Sequence, residues 1–139
     1  MKPEPTYDSI GLEDFEGRWQ LERKIVSNGA ADMLFNGVAC WTPGDGKARY
    51  REEGELLLAG QRPMFAEREY VWTSDLQVFF PDGRFFHTVA TDGREVEHWC
   101  DPDTYVGRYN FSDWPVFSVF WRVTGPKKDY TSHTCYRRL

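Results

Sequence analysis

The chain has 139 residues, of which 40% are hydrophobic and 28% charged, with a formal net charge of -5. That is one domain of ordinary soluble composition, large enough to bury roughly two-thirds of its unfolded surface without a disulfide or a metal. Aromatic residues reach 17%, which excludes a disordered chain and favours strands over a helical bundle; an acidic balance without a long Lys/Arg run argues against a nucleic-acid partner.

Met1 to Asp8 is polar and contains two prolines. It lacks the apolar core of a signal peptide, and no run of about 18 apolar residues follows. Residues 1–9 therefore read as a flexible leader to a single domain over 10–139, in a cytoplasmic protein with no membrane partner. Cys40, Cys100 and Cys135 are an odd number with no CxxC pair. That fits a reducing compartment rather than a disulfide framework.

Helix signals are confined to Ile10–Phe15, one turn with Leu12 and Phe15 on one face. Beyond it, short alternating runs are broken about every ten residues by turn signals, among them Asn28-Gly29, Asp45-Gly46, Asp82-Gly83 and Asp92-Gly93. Ten strands are expected, near 15–27, 35–42, 47–58, 62–72, 75–81, 84–91, 94–101, 104–111, 116–124 and 129–138. A meander of this kind removes its two edges by closing on itself. The expected fold class is all-β: a single closed up-and-down antiparallel barrel with an internal cavity and one short N-terminal helical turn.

Two-residue Asp-Gly loops set the register. Such a loop at Asp82-Gly83 pairs Val78 with His87 and puts Phe80, Phe85 and His87 inside, with Phe79 and Phe86 outside. The same loop at Asp92-Gly93 places His87 opposite His98, with Cys100 inside and Trp99 outside. A tip at Pro102-Asp103 sets His98 beside Gly107, turns Tyr105 and Tyr109 inward and pairs Glu97 with Arg108. A three-residue loop Thr73-Ser74-Asp75 turns Trp72, Tyr70 and Arg68 inward and keeps Glu67 and Glu69 in water, because unpaired buried carboxylates are costly. Over 47–58 either phase fits, so Glu52, Glu53 and Glu55 stay unplaced. Strands 116–124 and 129–138, and His133 with them, also admit both phases.

The expected interior thus carries His87, His98, Cys100, Arg68, Tyr70, Tyr105 and Tyr109 among Phe and Trp. Apolar walls with a few convergent polar groups are the composition of a ligand pocket; the alternative is a buried hydrogen-bond network that satisfies itself. No HExxH-type motif supports a zinc site, so no metal is assigned. A haem on one of the histidines is a further reading. A buried histidine could also serve as an acid–base group in an isomerase, cyclase or lyase. No GxSxG, P-loop or GxGxxG nominates another chemistry.

Gly17-Arg18-Trp19 resembles the opening motif of calycin barrels such as lipocalins and fatty-acid-binding proteins. The resemblance implies that Trp19 closes one barrel end under a basic residue of the last strand, Arg137 or Arg138, with Arg137 the first choice. Phe15–Trp19, Asp82–His87, His98–Tyr105 and Trp121–Tyr130 also resemble a small bacterial family of unknown function. The functional expectation is a barrel that holds a small, largely apolar ligand with a polar or anionic end. In it His87 and His98 bond the polar end and Arg68 neutralises it. The rival without a ligand is a structural or partner-binding barrel with a filled core. Outward Phe79, Phe86 and Trp99 on adjacent strands suggest a homodimer surface.

Overall fold

The computed structural model describes residues 9–139, so the expected leader lies, except for Ser9, outside the described residues. Ten strands follow one 3-10 turn, Leu12–Phe15. They are β1 (Gly17–Ser27), β2 (Met33–Gly44), β3 (Lys47–Leu58), β4 (Met64–Thr73), β5 (Gln77–Phe79), β6 (Phe85–Thr88), β7 (Val96–Cys100), β8 (Asp103–Asn110), β9 (Phe117–Thr124) and β10 (Asp129–Arg138). All pair antiparallel in one sheet of order β6-β5-β4-β3-β2-β1-β10-β9-β8-β7. The meander wraps until β1 meets β10, Trp19 facing Arg138. Among the described residues no helix is long and apolar enough to cross a membrane.

The barrel is nearly closed rather than closed. β6 and β7 end the sheet with no ladder between them, so the expected pairing of His87 with His98 does not form. Rings bridge this seam instead: His98 lies 5.3 Å from Phe86 and 6.0 Å from Phe80, centroid to centroid.

Turn chemistry explains the other departures. Asp45 and Gly46 both have positive φ, 54° and 74°, the condition for a type I′ hairpin, and Gly44 pairs with Lys47 across it. At Asp82-Gly83 only Gly83 has positive φ. Gly83 N–H donates to Phe80 O and Phe80 N–H to Arg84 O, giving a three-residue loop that begins at Pro81. Proline presets the φ of a type I turn at that position. Val78 still pairs with His87, but the register then slips so that Phe79 faces Phe85. Phe86 is the extra residue, and such a bulge turns neighbours to one side. Hence Phe86 and His87 are both buried, and Phe85 is 45% exposed. Phe85 and Phe86 therefore exchange their expected sides.

Elsewhere the slip is two residues, which leaves sidedness intact. Trp72 pairs with Val78, so Trp72 and Tyr70 still face inward and Glu67 and Glu69 outward, paired with Arg51. The β7–β8 tip is Asp101-Pro102, which pairs His98 with Tyr105 and Val96 with Gly107. Arg108 accordingly meets Glu95 at 3.4 Å rather than Glu97. The open phases resolve with Phe117, Val119 and Val123 buried on β9, Ser132, Thr134 and Tyr136 buried on β10, and His133 in water. On β3, Glu52 is buried while Glu53 and Glu55 are exposed.

The 3-10 turn plugs one end. Gly11 N–H donates to Asp14 Oδ2 at 2.8 Å, which presents Leu12 and Phe15 to the core. Phe15 is fully buried against Trp41, Trp72, Trp114 and Phe117. Trp19 is buried too and donates from Nε1 to Phe15 O at 2.8 Å. The cation over its ring is Arg138, 4.2 Å from the centroid, and this guanidinium also donates to Glu16 O at 2.8 Å. Arg137 pairs with Gln20, so the alternation of β10 turns it to the other side from the facing pair Trp19 and Arg138.

Candidate functional site

β1 runs from the plug at Trp19 to Ser27. Around its far half, and those of the strands beside it, the barrel is hollow. The cavity measures about 570 Å³, which sets aside the filled-core reading. Ser27, Met33, Glu67, Arg68 and Tyr130 mark the end away from the plug, where Arg68 and Glu67 are exposed. Aromatic rings form the deep wall. Phe86 stacks on Phe80 at 4.8 Å and on Trp121 at 5.3 Å. Gly107 makes room for that wall: a Cβ there would stand 2.5 Å from Trp121 Cζ3.

Two polar clusters interrupt the apolar lining. In the first, Arg23 of β1 donates from Nη1 to Glu52 Oε2 at 2.6 Å, from Nη2 to Glu52 Oε1 at 2.9 Å and from Nε to Thr134 Oγ1 at 2.8 Å. Tyr50 OH donates to Glu52 Oε1 at 2.6 Å. Its single proton is thereby engaged, so the 2.9 Å contact with Tyr136 has Tyr136 as donor. Arg68 Nε stands 4.0 Å from Glu52 Oε2. Burial opposes both charges of the pair, but their hydrogen bonds and attraction outweigh it. Arg23 is held above its ordinary pKa and Glu52 below. Burial pushes the Tyr136 phenol up to about 12, the Glu52 charge assisting.

In the second cluster, His87 Nε2 and Tyr109 OH are 3.0 Å apart. His87 is only 4% exposed, and its Nδ1 has no protein partner. Burial, with repulsion from His98 added, drops its pKa to about 3. The imidazole is therefore neutral at physiological pH.

Of the residues expected inside, His87, Arg68, Tyr70, Tyr105 and Tyr109 line the cavity. His98 and Cys100 do not. His98 is half-buried in the seam behind Phe86, and Cys100 is half-buried at the end of β7. Sequence reasoning missed Arg23, Glu52, Tyr50, Thr134 and Tyr136. The signal was present in the period of β1, where the inward phase Trp19, Leu21 continues to Arg23. Among the described residues no three of His, Cys, Asp or Glu are grouped to hold a metal ion.

A meandering barrel, plugged at one end and hollow toward the other, with aromatic walls and two buried polar clusters, defines the class: a hollow up-and-down β-barrel. The chain belongs to DUF6314, a family of unknown function, which it matches over residues 15–138. Among solved structures it is similar to the S-type phycobiliprotein lyase CPES from Guillardia theta. The identity is 13% over 96% of this chain and 95% of that one, with a TM-score of 0.66. At this identity the likeness concerns the fold alone. No curated protein matches the chain.

Proposed function

We propose that the protein binds a small, largely apolar molecule with a polar or anionic end inside its barrel. The observation that carries this reading is the cavity of about 570 Å³, walled by Phe80, Phe86, Tyr70, Tyr105 and Trp121 and broken by the His87 and Arg68 side chains. Its volume lies in the range of small-molecule sites, and aromatic and aliphatic side chains together make up most of its lining. Arg68, its side chain 53% exposed, is placed to meet an anionic end at the cavity mouth. Native mass spectrometry and solvent extraction of purified protein test the reading. A co-purified apolar compound is expected. No extracted compound, together with no enhancement of N-phenyl-1-naphthylamine fluorescence, overturns it.

One observation favours a second reading, acid–base catalysis. His87 and Tyr109 are hydrogen-bonded to each other in the cavity wall, an arrangement through which a proton can pass to or from a bound compound. The fold is shared with a protein named as a phycobiliprotein lyase, which supports considering a lyase among the reaction types. Turnover of a bound compound that disappears in His87→Gln with binding retained would establish this reading over simple binding.

The homodimer proposal changes one residue. With Phe86 inside and Phe85 outside, the outer aromatics of that stripe are Phe79, half-buried, Phe85, 45% exposed and 5.5 Å from the Phe79 ring, and Trp99, 61% exposed. Light scattering on the wild type and on Trp99→Ser tests it: a dimer lost in the variant supports it, and a wild-type monomer removes it.

A further inference from the structure

The polar end of the ligand can be specified by counting protons and charges around the cavity. Five ionisable side chains other than tyrosine line it: Arg23, Glu52, Glu67, Arg68 and His87. Arg23 and Glu52 are joined by two hydrogen bonds at 2.6 and 2.9 Å, and Thr134 takes the remaining Nε–H. Their charges cancel. Glu67 is engaged by Arg51 outside the barrel, and Arg68, its side chain 53% exposed, directs its Nε at Glu52 Oε2, 4.0 Å away. The deep wall around His87 therefore offers no uncommitted cation. An anion placed there would lose its hydration without gaining a counter-charge.

The deep wall does offer donors: the Trp72 indole N–H, which has no partner, and one proton of the His87–Tyr109 pair, the one set beside a second polar side chain. The neutral imidazole and the Tyr109 phenol have two polar protons between them, one on each side chain. They make one mutual hydrogen bond, at 3.0 Å. If Tyr109 donates to Nε2, the imidazole proton sits on Nδ1, which has no protein partner but is itself buried, so a ligand reaches it only by displacing the neighbouring rings. If Nε2–H donates to the phenol oxygen, the proton left over is that of Tyr109, a side chain that lines the cavity. Either tautomer leaves one buried donor unused, inside a wall made of Phe86 and Trp121, 4.4 and 4.9 Å from the His87 ring. A buried donor without an acceptor is unfavourable, and an arriving acceptor relieves it.

We infer that the His87–Tyr109 pair is the recognition site for an uncharged hydrogen-bond acceptor, a carbonyl oxygen, on an otherwise apolar ligand, and that carboxylates do not use it. This rests on the proposal that the cavity binds small molecules, and it replaces "polar or anionic" by a chemical class for the buried end. Neutral His87 fits the role, since protonation would offer a cation in its place.

The test displaces N-phenyl-1-naphthylamine with three compounds sharing one chain: undecane, 2-undecanone and undecanoate, at pH 8. It uses the full chain and the double variant His87→Phe/Tyr109→Phe. The double variant is needed because removing one partner frees the proton of the other. Circular dichroism and retained probe binding report its folding; a variant that fails them is replaced by Tyr109→Phe/His87→Leu. The affinity of the ketone relative to that of the hydrocarbon should be about tenfold higher in the wild type than in the double variant, the value of one relieved donor, since the carbonyl's loss of hydration is common to both. Undecanoate should bind the two proteins alike. The infrared carbonyl band of 13C-labelled 2-undecanone should move to lower wavenumber on binding to the wild type only. A ketone-to-hydrocarbon ratio that is the same in both proteins, or an undecanoate that weakens with the double variant as the ketone does, overturns the inference and leaves the cavity-binding reading standing. If none of the three displaces the probe, both fall.

Discussion

Arg23→Met is the most informative single perturbation of this interior. Methionine keeps the unbranched stem of arginine and deletes its guanidinium. Glu52, 2% exposed, would keep only the Tyr50 hydroxyl at 2.6 Å and Arg68 at 4.0 Å. Removing one partner of a buried ion pair costs about 3–5 kcal/mol, because the remaining charge is uncompensated. At about 3 °C per kcal/mol for a domain of this size, the melting temperature falls by roughly 9–15 °C. Urea unfolding followed by tryptophan fluorescence measures the loss directly. The double variant Arg23→Met/Glu52→Leu recovers most of it, since no charge is left buried. The pH dependence supplies an independent check. In the wild type Glu52 is held below the usual carboxylate range. Its contribution is then complete above the ordinary carboxylate pKa and disappears only as pH falls through the lowered folded value. In Arg23→Met the sign reverses: burial alone raises the Glu52 pKa, so the deficit shrinks as pH is lowered from 7.5 to 5. A deficit under about 1 kcal/mol that does not vary with pH would refute the reasoning, because it would mean that water in the cavity hydrates Glu52.

Three further outcomes follow from the same structure. The His87 pKa is lowered to about 3 by burial, so below pH 6.5 the unfolded chain binds one more proton than the folded one; stability from this group falls by about 2 kcal/mol between pH 6.5 and 5, and His87→Phe should flatten that part of the acid limb of the stability profile. Gly107→Ala brings a Cβ to 2.5 Å from Trp121; chemical denaturation should show a loss of about 1–3 kcal/mol, and probe binding should weaken as Trp121 is driven into the cavity. Arg138→Ala removes the cation from 4.2 Å over Trp19 and the hydrogen bond to Glu16 O; a loss of about 1–2 kcal/mol is expected by thermal unfolding, with Arg137→Ala within about 0.5 kcal/mol of wild type.

The barrel was legible because its evidence is redundant. Ten alternating runs with turn residues between them fix strand number, order and direction even when single loops are misread. Registers were less legible, and the errors sort by size. The two-residue slips at Trp72 and at His98 left every side chain on its expected face. The loop at Pro81-Asp82-Gly83 exchanged Phe85 and Phe86, because it adds a single residue to one strand. Asp82-Gly83 and Asp45-Gly46 are the same dipeptide in the sequence. What separates them is the preceding Pro81, which starts a type I turn, against Gly44, which continues the strand into a type I′ turn. The open seam had no sequence signal at all, since strands β6 and β7 are connected by a turn that elsewhere in this chain joins paired neighbours.

The polar interior was the least legible part, and the reason is physical rather than statistical. The rule that carboxylates avoid the core assigned Glu67 and Glu69 to the surface correctly, yet it gave nothing for Glu52. Inside β3 the outward phase is Arg49, Arg51 and Glu53, and the inward phase is Tyr50 and Glu52, so both faces are polar. The rule holds for one residue at a time, whereas the free energy belongs to a pair. Arg23 alone in the inward phase of β1 would be expensive, and so would Glu52 alone in that of β3. Each becomes tolerable because β1 and β3 both pair with β2, which brings the two side chains within reach, and the β1–β10 pairing sets Thr134 beside them. Two inward charges of opposite sign on strands two apart in the meander therefore predict each other once the inward phase of both is known. His87 and Tyr109 obey the same logic with one difference: they pair as neutral groups across the cavity wall, and their single mutual hydrogen bond leaves one proton over.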